Sequence, residues 1–406
     1  MLRPYHPSNQ SSEAGVEPGS LLRRLREDPQ EAIDRVAGDI GGRRATSLGE
    51  AQAAAYFDGR MRRAGLRVSA DAFRSPTGRG WDGLALALVA LIGVPLYYWL
   101  PLPALALALL NLALAASGLL RHGQPLLASR RPSQNVVATR AITSVPRWRV
   151  VLLAALDSPP ATGRIARVLD AGARPLIGRT AACALIGLLA ALALLRVPLD
   201  VGRLLWYLQT LPAAYLLFTA GLDVWAARAL ASPGAANHAG ALAALLASAD
   251  ALNGLQQTEL WAIGLGATGT GAGVADLLRR YPFEPAQTLF VGVESIGAGR
   301  LSYVTRAGIA PQRPADPHLL RLVAQADAAD PLIDAEPRPY RAEPVLTHSL
   351  SRAGLRAITI IGLDSDGQPA RRGSPLDTPD RIDPQMLDRA IRLIVGLVKQ
   401  IDSTSS

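Results

Sequence analysis

Four uncharged apolar segments limit what this chain can fold into more strongly than any other feature. They comprise residues 83–100, 102–120, 180–195 and 204–222. At 1.5 Å per helical residue, the first two are long enough to cross a bilayer core of about 30 Å, whereas the third is short for a full crossing. Prolines separate the first two segments, and a short polar stretch separates the last two. We therefore predict two transmembrane helical hairpins with four spans.

The composition agrees with a membrane location. Hydrophobic residues make up 49% of the 406 positions and charged residues 18%, which is too apolar for an ordinary soluble protein of this length. A single cysteine, Cys183, excludes a disulfide framework and a cysteine-rich zinc module. The net charge of +9 suits anionic lipid headgroups, and because no nucleic-acid-binding motif is present, we expect a lipid bilayer and no nucleic acid as partner.

The arginines beside the spans predict the orientation. They concentrate at the ends that join the hairpins to the rest of the chain, Arg179 among them, whereas the far turns contain only Arg196 and Arg203. Cytoplasmic loops carry an excess of Lys and Arg, so we expect a multi-pass integral membrane protein with its soluble part in the cytoplasm.

Outside the hairpins, short apolar strands alternate with helices, which predicts an α/β fold with a mostly parallel sheet covered on both faces. One of these helices, at 47–65, opens with a Ser47/Glu50 capping box. The predicted divisions are a disordered tail at 1–19, soluble segments at 20–80, 132–160 and 231–402, and transmembrane hairpins at 81–121 and 179–226.

In their sequence motifs and in the order of those motifs, the soluble segments resemble the di-zinc exopeptidase family of bacterial aminopeptidases and glutamate carboxypeptidase-like proteins. The resembling stretches are GGRRATSLGEAQAAAYFDGRMRRAGLRV, SQNVVATR, VVLLAALDS, SPGAANHAGALAALLASADAL, VGVESIGAG and RGSPLDTPDRID. The resemblance implies an aminopeptidase-like three-layer sandwich around a mostly parallel mixed sheet. It also implies two zinc ions held by two histidines and three carboxylates, with a further Glu as general base.

Most positions that match the family's zinc ligands hold other residues. The family's aligned positions are, in chain order, Ala155, Asp157, Asn237, Ala267, Thr268, Glu294 and Gly373. Both histidine positions are lost, at Ala155 and Gly373, and the bridging Asp is replaced by Asn237. Glu294 remains as a ligand, and Asp157, whose family role is to orient the missing histidine, has nothing left to hold. We therefore expect no catalytic zinc.

These substitutions predict a membrane-anchored pseudopeptidase that binds or scaffolds peptide or protein termini near the inner membrane face. The residues expected to hold such a ligand are Asn237, His238, Glu294 and Arg352, and an altered one-metal site could combine His238 and His348 with Glu294 and Asp157. The alternative is an active metal-dependent aminopeptidase with an unusual site.

The sequence leaves two further functional classes open, a dinucleotide-binding protein and a transporter. GLGATG at 264–269 matches the glycine pattern of dinucleotide-binding loops, although Glu294 lies farther on than the usual ribose-binding acid. A transporter is disfavoured because the spans contain only Asn111 and Gln209 as strongly polar groups. The acidic residues Asp377, Asp380 and Asp383 are expected to make turns and to cap the last helix.

Overall fold

The computed structural model contains one mixed sheet of nine strands. It describes residues 28–78, 81–120, 125–142, 145–162, 174–195, 198–308, 312–341 and 345–404, and the predicted tail at 1–19 lies outside these ranges. The strands are β1 (Arg67–Pro76), β2 (Arg130–Arg140), β3 (Trp148–Ala155), β4 (Thr258–Leu265), β5 (Thr288–Glu294), β6 (Arg300–Ala307), β7 (Arg313–Pro314), β8 (Glu336–Tyr340) and β9 (Arg356–Leu363).

The centre of the sheet is parallel and its flanks are antiparallel. The order is β1-β2-β4-β3-β5-β9-β6-β7, with β8 paired to β6. Strands β4, β3, β5 and β9 run parallel. Antiparallel pairs join β1 to β2, β2 to β4, β6 to β9 and β6 to β7, whereas β8 runs parallel to β6. Successive β3 residues Val150 to Leu153 are fully buried, as expected for a central strand covered on both faces. The predicted α/β class is confirmed.

Helices cover both faces of the sheet and give the three layers. The helices are α1 (Pro29–Ile33), α2 (Leu48–Arg63), α3 (Asp82–Leu96), α4 (Pro101–Leu120), α5 (Arg174–Ala193), α6 (Leu199–Arg228), α7 (Gly240–Ala251), α8 (Ala272–Arg280), α9 (Pro317–Ala329), α10 (His348–Arg352) and α11 (Pro384–Ser403). One face packs against α1, α2, α7, α9 and α11. The other packs against α8 and α10.

The two hairpins leave the sheet at different places. The first continues the antiparallel pair β1–β2, where the Trp81 amide donates to the Leu127 carbonyl over 2.7 Å. The ends of the second meet in a β-bridge between Pro160 and Ala231, directly after β3. Outside the sheet, α3 packs on α4 and α6, and α5 packs on α4 and α6, so the four helices form one bundle.

Three helices among the described residues are long and apolar enough to cross a membrane: Pro101–Leu120, Pro175–Ala193 and Leu199–Arg228. The fourth, Asp82–Leu96, is shorter than the 18 apolar residues of the sequence because the chain leaves the helix beyond Pro95 and turns. Four spans are therefore not supported as clearly as three. The bundle surface is apolar, with Leu88, Leu91 and Ile92 exposed on α3.

Arg179 lies inside the bundle rather than at its rim. Its Nη2 is 2.6 Å from Oδ2 of Asp223, and the two side chains are only 11% and 8% exposed. The guanidinium also donates to the Thr219 hydroxyl and carbonyl of α6. Arg179 is therefore paired with a buried carboxylate of the neighbouring helix, which the arginine pattern of the sequence did not indicate.

Candidate functional site

The positions that match the family's zinc ligands meet at the carboxyl edge of the parallel strands. We call residues 156–158, 234–238, 266–270 and 294–296 the strand-end site; they follow β3, precede α7, follow β4 and end β5. Parallel strands present their carboxyl ends at one edge of a sheet, which is the usual place for ligands in such folds. Ala155 pairs with Leu265, and the Asn237 carbonyl accepts from the amide of Ser295, the residue after Glu294.

Asp157 has a new partner. Its Oδ1 accepts hydrogen bonds from the Thr268 amide over 3.1 Å and from the Thr268 hydroxyl over 2.6 Å. The side chain is 4% exposed. The expectation that Asp157 has nothing to hold is therefore wrong: its carboxylate fixes the turn after β4, and that turn contains Ala267 in a left-handed conformation with φ 48°.

His238 is held beside Asp157 as a neutral imidazole. Its Nδ1 donates to the Asp157 carbonyl oxygen, which leaves the lone pair on Nε2. Burial lowers the pKa of His238 to about 4, against the raising effect of the Asp157 carboxylate, and the positive charges of Arg372 and Arg43 lower it further. At neutral pH the side chain is therefore an acceptor at Nε2.

Asn237 connects three loops instead of bridging two cations. Its Oδ1 accepts a hydrogen bond from the Ser295 hydroxyl over 2.7 Å, and its carbonyl accepts from the Ser295 amide over 2.8 Å. Its own amide donates to Oδ2 of Asp377 over 3.1 Å. Asn237 is 1% exposed, and among the described residues its Nδ2 has no hydrogen-bond partner.

Glu294 faces the other side of the sheet edge. Its Oε1 accepts the Leu346 amide over 2.6 Å, just before α10. Alternation along β5 places Glu294 on the face of Phe290, which packs with α8 and α10, whereas His238 precedes α7 on the opposite face. His348 and the exposed Arg352 lie on α10, one at each end.

The altered one-metal site is not assembled. Within the described parts of the chain, no three His, Cys, Asp or Glu side chains come close enough to hold one metal ion, so Asp157, His238, Glu294 and His348 do not form a common ligand set. Gly373 is buried with φ 58° and follows Arg372, whose charge acts on His238.

The residues present do not fit the zinc pair that the resemblance implies. Alanine, threonine and glycine side chains at 155, 267, 268 and 373 supply no imidazole or carboxylate, and the neutral amide of Asn237 is a poor bridge between two cations. Glu294 keeps a ligand atom, but its Oε1 accepts a backbone hydrogen bond.

Sequence reasoning missed the residue at the centre of the site, Arg43. Its guanidinium is fully buried and donates to four carbonyl groups, those of Val36, Gly41, Leu156 and Pro233, over 2.7–3.1 Å. Burial lowers the pKa of Arg43 to about 10, opposed by the charges of Asp157 and Asp377. The double arginine in GGRRATS was visible in the sequence, but nothing local distinguishes Arg43 from Arg44.

Two buried carboxylates were also misread. The Ser47 half of the predicted capping box is confirmed, since the Ser47 hydroxyl accepts from the Glu50 amide over 3.4 Å. The Glu50 carboxylate does not return the bond: its Oε1 accepts from the Ala267 amide over 2.6 Å and its Oε2 from the Thr46 amide over 2.5 Å. Asp377, expected only to make a turn, is fully buried and accepts from the Ala236 and Asn237 amides. The predicted cap of the last helix is confirmed for Asp383 alone.

Glu50 predicts a measurable pH dependence of stability. Burial, with the nearby Asp157 charge, raises its pKa from 4.5 to about 7. The native state thus keeps a proton that the unfolded chain has lost between these values, so the contribution of Glu50 to the free energy of unfolding should fall by about 3 kcal/mol as pH rises from 4.5 through 7. Urea unfolding of wild type and Glu50→Gln from pH 4.5 to 8 checks this.

The Glu50→Gln variant should lose that fall, because glutamine does not titrate. His238 has the opposite slope, since its lowered pKa costs stability as pH falls from 6.5 toward 4, and it acts equally in both proteins. Glu284→Gln, at an exposed position, is the control and should follow wild type. Identical profiles for wild type and Glu50→Gln would contradict the prediction.

Comparison with known proteins supports the architecture. No family model and no curated protein matches the chain. Among solved structures, a zinc aminopeptidase from Bacillus subtilis superposes with a TM-score of 0.55 at 13% identity, covering 92% of this chain and 94% of that one.

Two further solved structures are similar. An aminopeptidase from Aneurinibacillus sp. strain AM-1 has a TM-score of 0.55 at 15% identity, over 92% of this chain and 94% of that chain. A glutaminyl cyclase from Porphyromonas gingivalis has a TM-score of 0.54 at 12% identity, over 92% and 97%. The chain therefore has the fold found in zinc aminopeptidases and glutaminyl cyclases, and its described residues include three helices long and apolar enough to cross a membrane.

Proposed function

We propose that this chain is a membrane-anchored, aminopeptidase-like protein that binds the amino-terminal end of a peptide or protein without hydrolysing it. The observation that carries the proposal is that polar side chains of the strand-end site form hydrogen bonds within the protein. Asp157 holds the Thr268 turn and Asn237 holds Ser295, so each forms internal hydrogen bonds where the family resemblance asks for metal ligation or support of a ligand. The fold is retained while its hydrolytic donor set is replaced.

The membrane anchor is the helical bundle formed by α3 to α6. Its exposed leucines support contact with lipid, since a soluble protein seldom exposes such a continuous apolar surface. The second hairpin starts directly after Ser158, and Ser158 Oγ donates to the Ser232 carbonyl on the returning chain. A ligand of the strand-end site would therefore be bound close to the root of this hairpin, and the arginine distribution assigns that side to the cytoplasm.

An amino terminus suits the groups that remain. An ammonium group needs hydrogen-bond acceptors, and Nε2 of neutral His238 is such an acceptor at this edge. Asn237 supports the loop that carries His238, and the exposed guanidinium of Arg352 on α10 suits an acidic side chain of the ligand. The similar solved structures include two aminopeptidases, whose name refers to the amino end of a chain.

Zinc content and peptide hydrolysis test the absence of catalysis. The full chain, purified in detergent, is expected to contain well below one zinc per chain and to show no EDTA-sensitive turnover of aminoacyl chromogenic substrates. This follows because too few ligand atoms remain at the strand-end positions. Stoichiometric zinc together with EDTA-sensitive turnover would instead establish the alternative, an active aminopeptidase.

A peptide library with free or acetylated amino termini tests binding. Acetylation should weaken binding at least about tenfold, because it removes the charged donor. His238→Gln should weaken binding of free termini, whereas His318→Gln should not, since His318 stacks near Trp148 at the opposite end of β3. Equal binding of free and acetylated peptides would contradict an amino-terminal ligand.

A further inference from the structure

The helical bundle contains a cavity near its middle. It is lined by residues of all four helices, among them Gly93 of α3, Asn111 of α4, Cys183 of α5 and Gln209 of α6. The space open to the centre of a water molecule is about 10 Å³. This is close to the minimum of roughly 10–15 Å³ that one water requires. The cavity is therefore of the size of a single water molecule.

Two polar side chains of different hairpins line this cavity with unsatisfied atoms. Asn111 is 2% exposed and Gln209 is 1% exposed. Within the described residues, Oδ1 of Asn111 and Nε2 of Gln209 are buried and have no hydrogen-bond partner. A buried polar atom in an apolar surrounding is costly unless it is bonded, so these two atoms require a partner in the cavity.

The orientation of Asn111 is fixed by a neighbouring helix. Its Nδ2 donates to the Leu86 carbonyl over 3.0 Å, and because a carbonyl only accepts, the amide cannot be flipped. Oδ1 of Asn111 is therefore the acceptor on the cavity side, and Nε2 of Gln209 is a donor. The partner must donate to one and accept from the other.

Among the described residues, no charged side chain lines the cavity, which favours an electrically neutral partner. We infer that one water molecule occupies the cavity, donates to Oδ1 of Asn111, accepts from Nε2 of Gln209, and so joins the two hairpins inside the bundle. The inference is independent of the function proposed for the strand-end site. It gives the two polar residues of the spans a role that does not involve transport.

Cys183 provides a direct readout, because it lines the same cavity, is 1% exposed and is the only cysteine of the chain. Maleimide labelling of the detergent-solubilised full chain measures how often the bundle opens there. Gln209→Met should raise the labelling rate about threefold to tenfold. Methionine has no donor, so the water loses its hydrogen bond from position 209 and no longer links Oδ1 of Asn111 to α6. Thr210→Val, on the exposed face of the same helix, should leave the rate unchanged.

The double variant Asn111→Leu/Gln209→Met distinguishes loss of the water bridge from a general loss of packing as the cause of faster labelling. If a water links the two side chains, the double variant should label more slowly than the product of the two single effects predicts. Independent effects, or an unchanged rate in Gln209→Met, would overturn the inference. An experimental structure should show one water within hydrogen-bond distance of both atoms; a direct Asn111–Gln209 bond, or no density, would also overturn it.

Discussion

Replacing Arg43 with methionine is expected to destabilise the soluble domain by about 4–6 kcal/mol and to disorder the strand-end site. Arg43 donates to four backbone carbonyl groups that come from three separate parts of the chain. Methionine fills the volume of the stem but donates nothing. The four carbonyl oxygens would stay buried without this donor, and each unsatisfied group costs about 1–3 kcal/mol.

The neighbouring arginine offers a matched control for this experiment. Arg44 is partly exposed and donates to a single carbonyl, that of Ala227. Arg44→Met should therefore cost about 1 kcal/mol or less. Lysine at 43 keeps the charge but offers three donors on a flexible stem, so Arg43→Lys should recover stability only in part.

Denaturant unfolding of the detergent-solubilised chain, followed by tryptophan fluorescence, measures these differences. The linear dependence on denaturant gives the change in free energy of unfolding for each variant. Equal loss of stability in Arg43→Met and Arg44→Met would show that the network of carbonyl acceptors does not carry the energy assigned to it.

Replacing Arg179 with leucine is expected to destabilise the helical bundle by about 3–5 kcal/mol. The change leaves the Asp223 carboxylate buried between α5 and α6 without its cation, because Arg179 Nη2 lies 2.6 Å from Oδ2 of Asp223. Removing one partner of a buried ion pair is costly since the remaining charge has lost both water and its counter-ion.

Removing both charges should be much less harmful. In Arg179→Leu/Asp223→Leu no charge is stranded, and well-packed apolar residues can replace a buried ion pair at little cost. Arg203→Leu, at an exposed position on α6, controls for the general effect of losing an arginine from the bundle. Thermal unfolding in detergent measures all three variants. A double variant as unstable as Arg179→Leu would refute the charge-pair explanation.

The elements of the soluble part were largely predictable. The helix expected at 272–280 is confirmed at both ends, because Gly271 takes a left-handed φ of 68° before it and Tyr281 leaves the helical region after it. The seven longer strands lie where short apolar runs predicted them. The two-residue β7 and the strand β8, which contains Pro337 and Pro339, were missed because neither has an alternating apolar pattern.

The candidate site was predictable only as a set of positions. Ala155, Asn237 and Gly373 could be interpreted as substitutions because the motifs around them resemble those of the zinc exopeptidase family in sequence and in order. The new partners of the remaining polar residues could not, since Asp157 contacts Thr268 across 111 positions of the chain. Glu50 was interpreted as part of a helix cap because the spacing of residues along the chain indicates only hydrogen bonds to nearby amides. It does not indicate the bond to the distant Ala267 amide.

The sequence by itself determined the apolar helices, the order of strands and helices, and the absence of imidazole and carboxylate at Ala155, Asn237 and Gly373. These properties depend on the type of each residue and on the spacing of apolar residues, and both can be read directly from the sequence. The tertiary structure decided that Arg43 is a buried cation bonded to four backbone carbonyl groups, that Arg179 pairs with Asp223, and that Asn111 and Gln209 share one cavity. Each depends on groups that are distant in the chain and meet only when the sheet and the bundle close.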